Sequence, residues 1–224
     1  MRAPQPGPQR RRDPLTQEAI VDAALAMLDT AGLDGLSMRR VARNLGTTAG
    51  ALYWHVGSKD GLLDLVFDRI IGEQPIPDPD PDRWQEQVKE VARTMRATIL
   101  RHRDVVRLSI GRLPMGPNAL RYADRLMAVL RAGGLPPQLV VSGQQLLISI
   151  VNGFAIDETG EGGHPPSDQP PPDAAMARDY LAALPRDHFP HLTELADHFA
   201  ADDADQRFEL LLDLFVDGLA QRSG

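Results

Sequence analysis

Four prolines within nine residues, in the run Gln74-Pro-Ile-Pro-Asp-Pro-Asp-Pro-Asp82, separate two long stretches of helical pattern. Proline has no backbone N–H and its ring clashes with the preceding helical turn, so no helix continues through this run. On both sides apolar residues recur at helical spacing, without the alternation typical of strands. The sequence therefore predicts an all-α protein with a Pro-rich linker at 74–82 between a domain at 15–73 and a larger domain at 83–224.

The charge is distributed unevenly along the chain. Residues 1–60 have eight Arg and Lys against six Asp and Glu, whereas the remainder has 16 against 25, so that the net charges are +2 and −9. A basic end on an acidic body is expected when one end alone meets phosphates, although chance is the alternative. Residues 1–14 are predicted to form a disordered basic arm. Arg10-Arg11-Arg12 would then either reach into a DNA minor groove or only aid solubility.

Several classes of protein are not expected. The chain has no cysteine, which excludes disulfides and thiolate metal sites. Its longest apolar runs, such as Leu146 to Val151, are far shorter than the roughly 18 residues that span a bilayer, so we expect a cytoplasmic protein with no membrane partner. No motif typical of an enzyme is found, and we predict no catalytic activity, cofactor or metal site. For His188, His191 and His198, ordinary surface or core histidines are favoured over a metal site.

Capping and turn residues divide the first domain into short helices. The predicted cap and turn positions are Thr16, Gly32, Ser37, Gly46, Thr47 or Thr48, and Ser58. Two short helices joined by a glycine turn and braced by a longer helix match a helix-turn-helix, whose second helix enters the DNA major groove. We therefore predict a three-helix DNA-binding domain at the N-terminus.

The predicted recognition helix combines small and aromatic residues. It begins Thr47-Thr48-Ala49-Gly50-Ala51, and small side chains let the backbone approach base edges while threonine bonds phosphates or bases. Tyr53-Trp54-His55 follow and offer ring donors where phosphates lie, with core packing as the alternative. The helix N-termini at Ser37 and Ser58 also favour phosphate.

Two helices of the larger domain, at about 137–158 and 205–221, are apolar on more than one side. Such helices are buried all round or pack against a partner. The pattern favours a homodimer built through a four-helix bundle, and a core contained within one chain is the alternative.

Four segments of the first domain follow one known signature. They are Ile20-Val-Asp-Ala-Ala24, Gly32-Leu-Asp-Gly-Leu-Ser-Met-Arg39, Leu52-Tyr-Trp-His-Val56 and Ser58-Lys-Asp-Gly-Leu-Leu63. In these segments the chain resembles the tetracycline-repressor (TetR) family, and more weakly so in Leu100-Arg-His-Arg-Asp104 and Phe189-Pro-His-Leu192. Members of that family are dimeric regulators, mostly repressors, that a small molecule bound in the C-terminal domain releases from DNA.

The resemblance implies roles for particular residues. Arg39 matches a base-reading position, Lys59 a phosphate contact, and Ala49, Gly50 and Ala51 base-facing positions. Tyr53, Trp54 and His55 match phosphate or methyl contacts. With Thr47 and Thr48 these ten residues form the predicted DNA surface.

The effector site departs from that of the tetracycline repressor itself. Ser109 stands where that protein has a magnesium-binding histidine, and Val91, Met95 and Arg125 stand at three drug-contacting positions. Only Asp157 keeps the acidic character of its counterpart, so tetracycline is not expected as the ligand. The candidate pocket residues are Val91, Met95, Ser109, Arg112, Leu113, Arg125, Asn152 and Asp157. Arg112 and Arg125 are either anchors for an anionic effector or solvated surface residues.

The resulting hypothesis is a sequence-specific transcriptional regulator. We expect a repressor that leaves a partly palindromic operator in double-stranded DNA when an unknown small-molecule effector binds. The alternatives are an activator on the same scaffold and a helical small-molecule-binding protein without regulatory DNA binding.

Overall fold

The structure is a computed structural model that describes residues 14–160, 174–200 and 203–222. Within those ranges the chain forms twelve α-helices and no strand, so the predicted all-α class is confirmed. The helices are α1 Gln17–Gly35, α2 Met38–Asn44, α3 Ala49–Val56, α4 Lys59–Ile71, α5 Trp84–Arg101, α6 Val105–Ser109, α7 Pro117–Ala132, α8 Pro137–Thr159, α9 Ala174–Ala182, α10 Pro190–Glu194, α11 Ala196–Ala200 and α12 Ala204–Ala220. The predicted basic arm lies, apart from Pro14, outside the described residues.

The predicted capping residues lie at the N-termini of the first four helices. The hydroxyls of Thr16, Ser37 and Thr48 each accept a hydrogen bond from the backbone N–H three residues later, at 3.2, 3.4 and 3.3 Å. Ser58 does the same for Gly61 at 2.9 Å. Each bond satisfies one of the N–H groups that a helix N-terminus leaves without an intrahelical partner. These caps fix where each short helix begins.

Gly32 interrupts the end of α1. Its φ of +70° is a left-handed conformation that favours glycine, and a short helical turn then continues to Gly35. The first helix was predicted to end at Gly32, and the regular part of α1 does so. Buried residues on one face of α1, including Ile20, Ala24 and Leu28, anchor it in the core.

The helices form two compact units, and the chain passes from one unit to the other three times. The smaller unit contains residues 14–70 and 102–116, with α1 to α4 and α6. The larger unit contains residues 71–101 and the described part of 117–222, with α5 and α7 to α12. The sequence pattern predicts residues 102–116 within the larger domain, whereas in the structure this segment belongs to the smaller unit. The reason is a set of contacts with α1 and α4, described below.

The core of the larger unit lies among α5, α7, α8 and α12. Helix α5 packs against the other three, and α8 also packs against α7 and α12. Fully buried residues in this core include Val88, Leu126, Leu147, Phe208 and Leu212. Helices α9, α10 and α11 pack mainly on one another.

A charged side chain joins three of these helices. Arg96 of α5 lies 2.5 Å from Glu158 of α8 and 2.7 Å from Asp205 of α12. Its guanidinium also lies 4.8 Å from the centre of the Phe208 ring, within the range of a cation–π contact. Polar and apolar contacts therefore fix the same helix packing.

Three predicted helix details differ from the structure. The apolar spacing predicts a helix from Asp104 to near Pro114, but this helix ends at Ser109. It also predicts a single helix at 190–200, which the structure divides into α10 and α11. The three-residue spacing of Asp82 and Gln85 predicts a capping box at the start of α5. The hydrogen bonds there involve Gln87 instead, which donates to the carbonyl of Asp78 at 2.6 Å and accepts from the N–H of Asp80 at 3.0 Å.

Among the described helices, α8 alone is long and apolar enough to cross a membrane by length and composition. No uninterrupted apolar run in the sequence is this long, but the charged residues of α8 are confined to its C-terminal end, at Asp157 and Glu158. Its buried residues Val140, Leu147 and Val151 pack in the core of the larger unit.

Candidate DNA interface and effector pocket

The helix-turn-helix consists of α2, a turn at Gly46 and α3. Both helices pack on α1, and Gly46 takes a φ of +64° in the turn. Leu52 and Val56 form the buried side of α3. On the other side Trp54 is 84% exposed and Tyr53 is 47% exposed. Large aromatic side chains that face solvent together mark a surface available for binding.

The remaining predicted residues of α3 surround these aromatics. Thr48 and Gly50 are exposed, and Thr47, Ala49 and Ala51 are half-buried. The half-buried His55 ring meets the Trp54 ring edge to face, with their centres 5.0 Å apart. The carbonyl of His55 accepts a hydrogen bond from the side chain of Gln17 at 3.0 Å, which ties the end of α3 to the start of α1.

Two cations flank the recognition helix in the same unit. Arg39 at the start of α2 and Lys59 at the start of α4 are exposed. No carboxylate in the described part of the chain lies within 4.0 Å of either one. Arg40, by contrast, donates to the carbonyl of Gly35 at 2.5 Å. Arg39 and Lys59 are therefore available for phosphate or base contacts. The structure places all ten predicted DNA residues in the smaller unit.

Residues 102–116, here called the α6 segment, are held against α1 by polar contacts. His102 Nδ1 lies 3.0 Å from an Asp29 carboxylate oxygen, and the Asp104 carboxylate accepts from the N–H of Leu33 at 2.7 Å. Arg107 pairs with Asp34 at 3.1 Å, and its hydrogen bond lowers the pKa of that carboxyl. The pair therefore remains ionised at neutral pH.

The same segment also contacts α4. Arg112 pairs with Asp64 and, at 3.4 Å, with Asp60. Gly116 lies so close to the side chain of Asp68 that a Cβ at this position would overlap it. The α6 segment therefore connects the end of α1 with both ends of α4.

The predicted pocket residues are divided between the two units. Ser109, Arg112 and Leu113 belong to the smaller unit, where the Ser109 hydroxyl donates to the carbonyl of Val106 at 2.7 Å and Leu113 is 80% exposed. Arg112 is occupied by Asp60 and Asp64, so the structure does not present it as an anion anchor. The other five residues belong to the larger unit.

The five candidate pocket residues of the larger unit differ in how far they are buried. Val91 and Met95 are buried in α5, Asn152 is half-buried and Asp157 is exposed on α8. Arg125 of α7 lines a cavity of about 200 Å³. The cavity wall also contains Gln74, Arg121 and Tyr122, which the sequence analysis did not select. Arg121, Tyr122 and Arg125 share one face of α7 at spacings of one and four residues, but spacing alone does not indicate that segment 71–76 lies opposite them.

The three C-terminal histidines are exposed. His188 lies 3.6 Å from Asp187. No group of three or more metal-binding side chains is assembled within residues 14–160, 174–200 and 203–222.

Comparison with known protein families finds a match for each of the two parts of the chain. Residues 20–66 match the model described as bacterial regulatory proteins of the tetR family. Residues 76–223 match the tetracyclin repressor-like C-terminal domain. The chain belongs to the tetR family of regulators. The resemblance inferred from the sequence is therefore confirmed, and so is the expectation of a DNA-binding transcriptional regulator.

Individual relatives cover almost the whole chain. An HTH-type transcriptional regulator of Saccharopolyspora erythraea is 32% identical over 98% of this chain and 91% of its own. The class A tetracycline repressor from transposon 1721 of Escherichia coli is 29% identical over 93% of this chain and 92% of its own. The structure of apo ActR from Streptomyces coelicolor superposes with a TM-score of 0.85 at 44% identity, covering 94% of this chain and 97% of ActR. ActR has also been solved in complex with actinorhodin.

Proposed function

We propose that this tetR-family regulator is a homodimeric repressor that leaves a partly palindromic operator when a small molecule binds in its larger unit. The observation that carries the proposal is the open face of α3, on which Tyr53 and Trp54 project from a helix buried on its other side. The similarity to ActR, a relative with a bound small molecule, supports the effector half of the proposal. Such a protein acts on chromosomal DNA, which is consistent with a cytoplasmic location.

The dimer surface is expected on α8 and α12. Both helices have a buried side in the core and also expose apolar residues, Val141 and Leu146 on α8 and Leu210 and Leu214 on α12. Two copies of this helix pair would form a four-helix bundle that covers the exposed leucines. Such a dimer presents two recognition helices to successive major grooves, roughly 34–36 Å apart in helix-turn-helix proteins.

The α6 segment couples effector binding in the larger unit to DNA binding by the smaller unit. It is covalently continuous with α5 and α7 of the larger unit, yet it contacts α1 and α4 of the smaller unit. A ligand that shifts the ends of α5 or α7 would therefore pull on the helices that hold α3 and Lys59. Coupling between two sites by this kind of link is typically worth ~1–3 kcal/mol.

The test measures repression and release separately. Deletion of the gene should raise the transcripts of the neighbouring operon, whereas a fall in those transcripts would instead support an activator. Release is measured by fluorescence anisotropy of the operator complex during titration with actinorhodin, the ligand of the related ActR, and with compounds that raise the Tm of the protein in a thermal-shift screen. At least one stabilising compound should dissociate the complex. Tetracycline should not do so, because Ser109 replaces the metal-binding histidine.

A further inference from the structure

The cavity beside α7 in the larger unit has a mixed lining. It has a volume of about 200 Å³. Ile71 and Ile76 supply apolar wall, and Gln74 lies between them in the chain. Arg121, Tyr122 and Arg125 face these residues from α7. Apolar walls with a few convergent polar groups are typical of small-molecule sites, and this volume is below the 300–1,000 Å³ of drug-sized pockets.

Two oxygen atoms at this cavity are buried and have no hydrogen-bond partner in the described protein. They are Oε1 of Gln74 and the hydroxyl oxygen of Tyr122. A buried polar group left unpaired costs about 1–3 kcal/mol, so a ligand that pairs with it regains that free energy. Burial raises the pKa of the Tyr122 phenol, which therefore keeps its proton and can donate to an acceptor. Gln74 Oε1 requires a donor instead.

The two arginines leave a surplus of positive charge at the cavity. Arg125 forms an ion pair with Asp78, whereas Arg121 donates to the neutral amide oxygen of Asn118 at 2.5 Å. Two guanidinium groups thus face one carboxylate. Arginine binds carboxylates through paired, charge-assisted hydrogen bonds, so an anionic group on a ligand is favoured here.

We propose that this cavity binds a hydroxylated aromatic carboxylate, either as a small free acid or as the end group of a larger effector. Its carboxylate accepts hydrogen bonds from Arg121, Arg125 and the Tyr122 hydroxyl. Its ring lies against Ile71 and Ile76, and its hydroxyl donates to Gln74 Oε1. The inference rests on the proposed function in one respect, namely that a ligand bound here acts as the effector.

The test compares two probes of nearly the same shape by isothermal titration calorimetry without DNA. The probe 3-hydroxybenzoate carries the carboxylate, and 3-hydroxybenzamide lacks the charge. The acid should bind at least about tenfold more tightly, since each lost charge-assisted bond is worth about 1.4 kcal/mol or more. Arg121→Gln and Arg125→Gln should each remove most of this preference. Arg131→Gln, on an exposed arginine of the same helix, should leave it unchanged.

A second variant separates ligand binding from folding. Tyr122→Phe removes a buried hydroxyl that has no hydrogen-bond partner among the described residues, so the Tm of the ligand-free protein should stay the same or rise. The same variant should weaken binding of 3-hydroxybenzoate severalfold. A lower Tm together with unchanged binding would overturn the role given to this hydroxyl.

Other outcomes distinguish the inference from the proposed function. Undetectable binding at millimolar probe, equal binding of acid and amide, or an equal Tm rise from sulfate at matched ionic strength would overturn the site. Probe binding that leaves the operator complex intact would support the site and contradict its effector role. Operator release by another compound, unaffected by Arg121→Gln and Arg125→Gln, would support the proposed function and contradict the effector role of this cavity.

Discussion

The two tryptophans of this chain occupy opposite environments. Trp84 is 9% exposed at the start of α5, and Trp54 is 84% exposed on α3. Burial of an indole removes a large apolar surface from water, so a tryptophan left in solvent forgoes a substantial stabilisation of the fold. The exposure of Trp54 is therefore more readily explained by contact with DNA than by folding.

This contrast makes Trp54 a reporter of DNA binding. In a Trp84→Phe variant the remaining fluorescence should be red-shifted and strongly quenched by acrylamide, because Trp54 faces water. Addition of an operator duplex should reduce the quenching by about half or more. The matched Trp54→Phe variant, which keeps Trp84, should show no change on DNA addition. Equal quenching of Trp54 with and without saturating DNA would contradict its place in the interface.

Single-residue features near the N-terminus could be predicted well from the sequence. Thr48 and Ser58 cap helices through bonds to residues only three positions away, and such local bonds are visible in a sequence pattern. The identity of the cavity residues could not be predicted in this way. Tyr122 and Gln74 come together only through the packing of α7 against residues 71–76, and neither residue belongs to a recognisable motif.

Among the elements, the end of α1 depends on a residue far along the chain. Gly32 lies at φ +70°, and a Cβ there would be 2.5 Å from the Asp104 carboxylate. Asp104 is itself left-handed, at φ 58°, which costs a non-glycine residue about 1–2 kcal/mol. Its hydrogen bond to Leu33 offsets that strain.

Two glycine substitutions test the close contact between Gly32 and the Asp104 carboxylate. Gly32→Ala should lower the free energy of unfolding through backbone strain of about 1–3 kcal/mol, since φ 70° with ψ 176° is open almost only to glycine, and through the clash with Asp104. Gly57→Ala also places a side chain at positive φ, +72°, although with ψ −51° instead of the 176° of Gly32, and its new Cβ would meet no atom of the described residues within 4 Å. Urea denaturation should therefore find Gly32→Ala the less stable of the two by about 1 kcal/mol or more. Equal losses would show that the α6 segment does not press on Gly32.

The unit to which α6 belongs could not be predicted from the sequence. The helical pattern correctly predicted that a short helix follows Asp104. It gave no indication that this helix leaves the larger unit, because the deciding contacts join His102 to Asp29 and Arg112 to Asp64 across 73 and 48 residues. Charged residues at such separations have many alternative partners, and only the fold selects among them.

At the scale of the whole molecule, helices α8 and α12 are expected to form the dimer interface. Its apolar pattern on more than one side was visible in the sequence and favoured a partner. In the structure one side is used in the core, and the other still exposes Leu146, Leu210 and Leu214. This division between core and solvent is what the proposed four-helix bundle requires.

A charge introduced on this face should separate the protomers. Leu214→Asp would bury an unpaired carboxylate in the bundle, so analytical ultracentrifugation should detect mainly monomer. Operator affinity should fall at least tenfold, because a monomer contacts one half-site only. Leu120→Asp, on an exposed leucine of α7, is the matched control and should remain dimeric. A dimer that survives Leu214→Asp with unchanged operator affinity would place the interface elsewhere.

The most direct measurement is the selection of genomic fragments by the purified protein at moderate salt, followed by affinity measurement on the site it selects. We expect a partly palindromic site with half-sites about one helical turn apart. Tyr53→Ala should weaken binding about tenfold or more with an unchanged circular dichroism spectrum, whereas Tyr180→Ala, at an exposed tyrosine of α9, should have no effect. Binding without sequence preference would show that the protein is not a sequence-specific regulator. Equal affinities for the Tyr53→Ala variant and the wild type would show that α3 does not form the DNA interface.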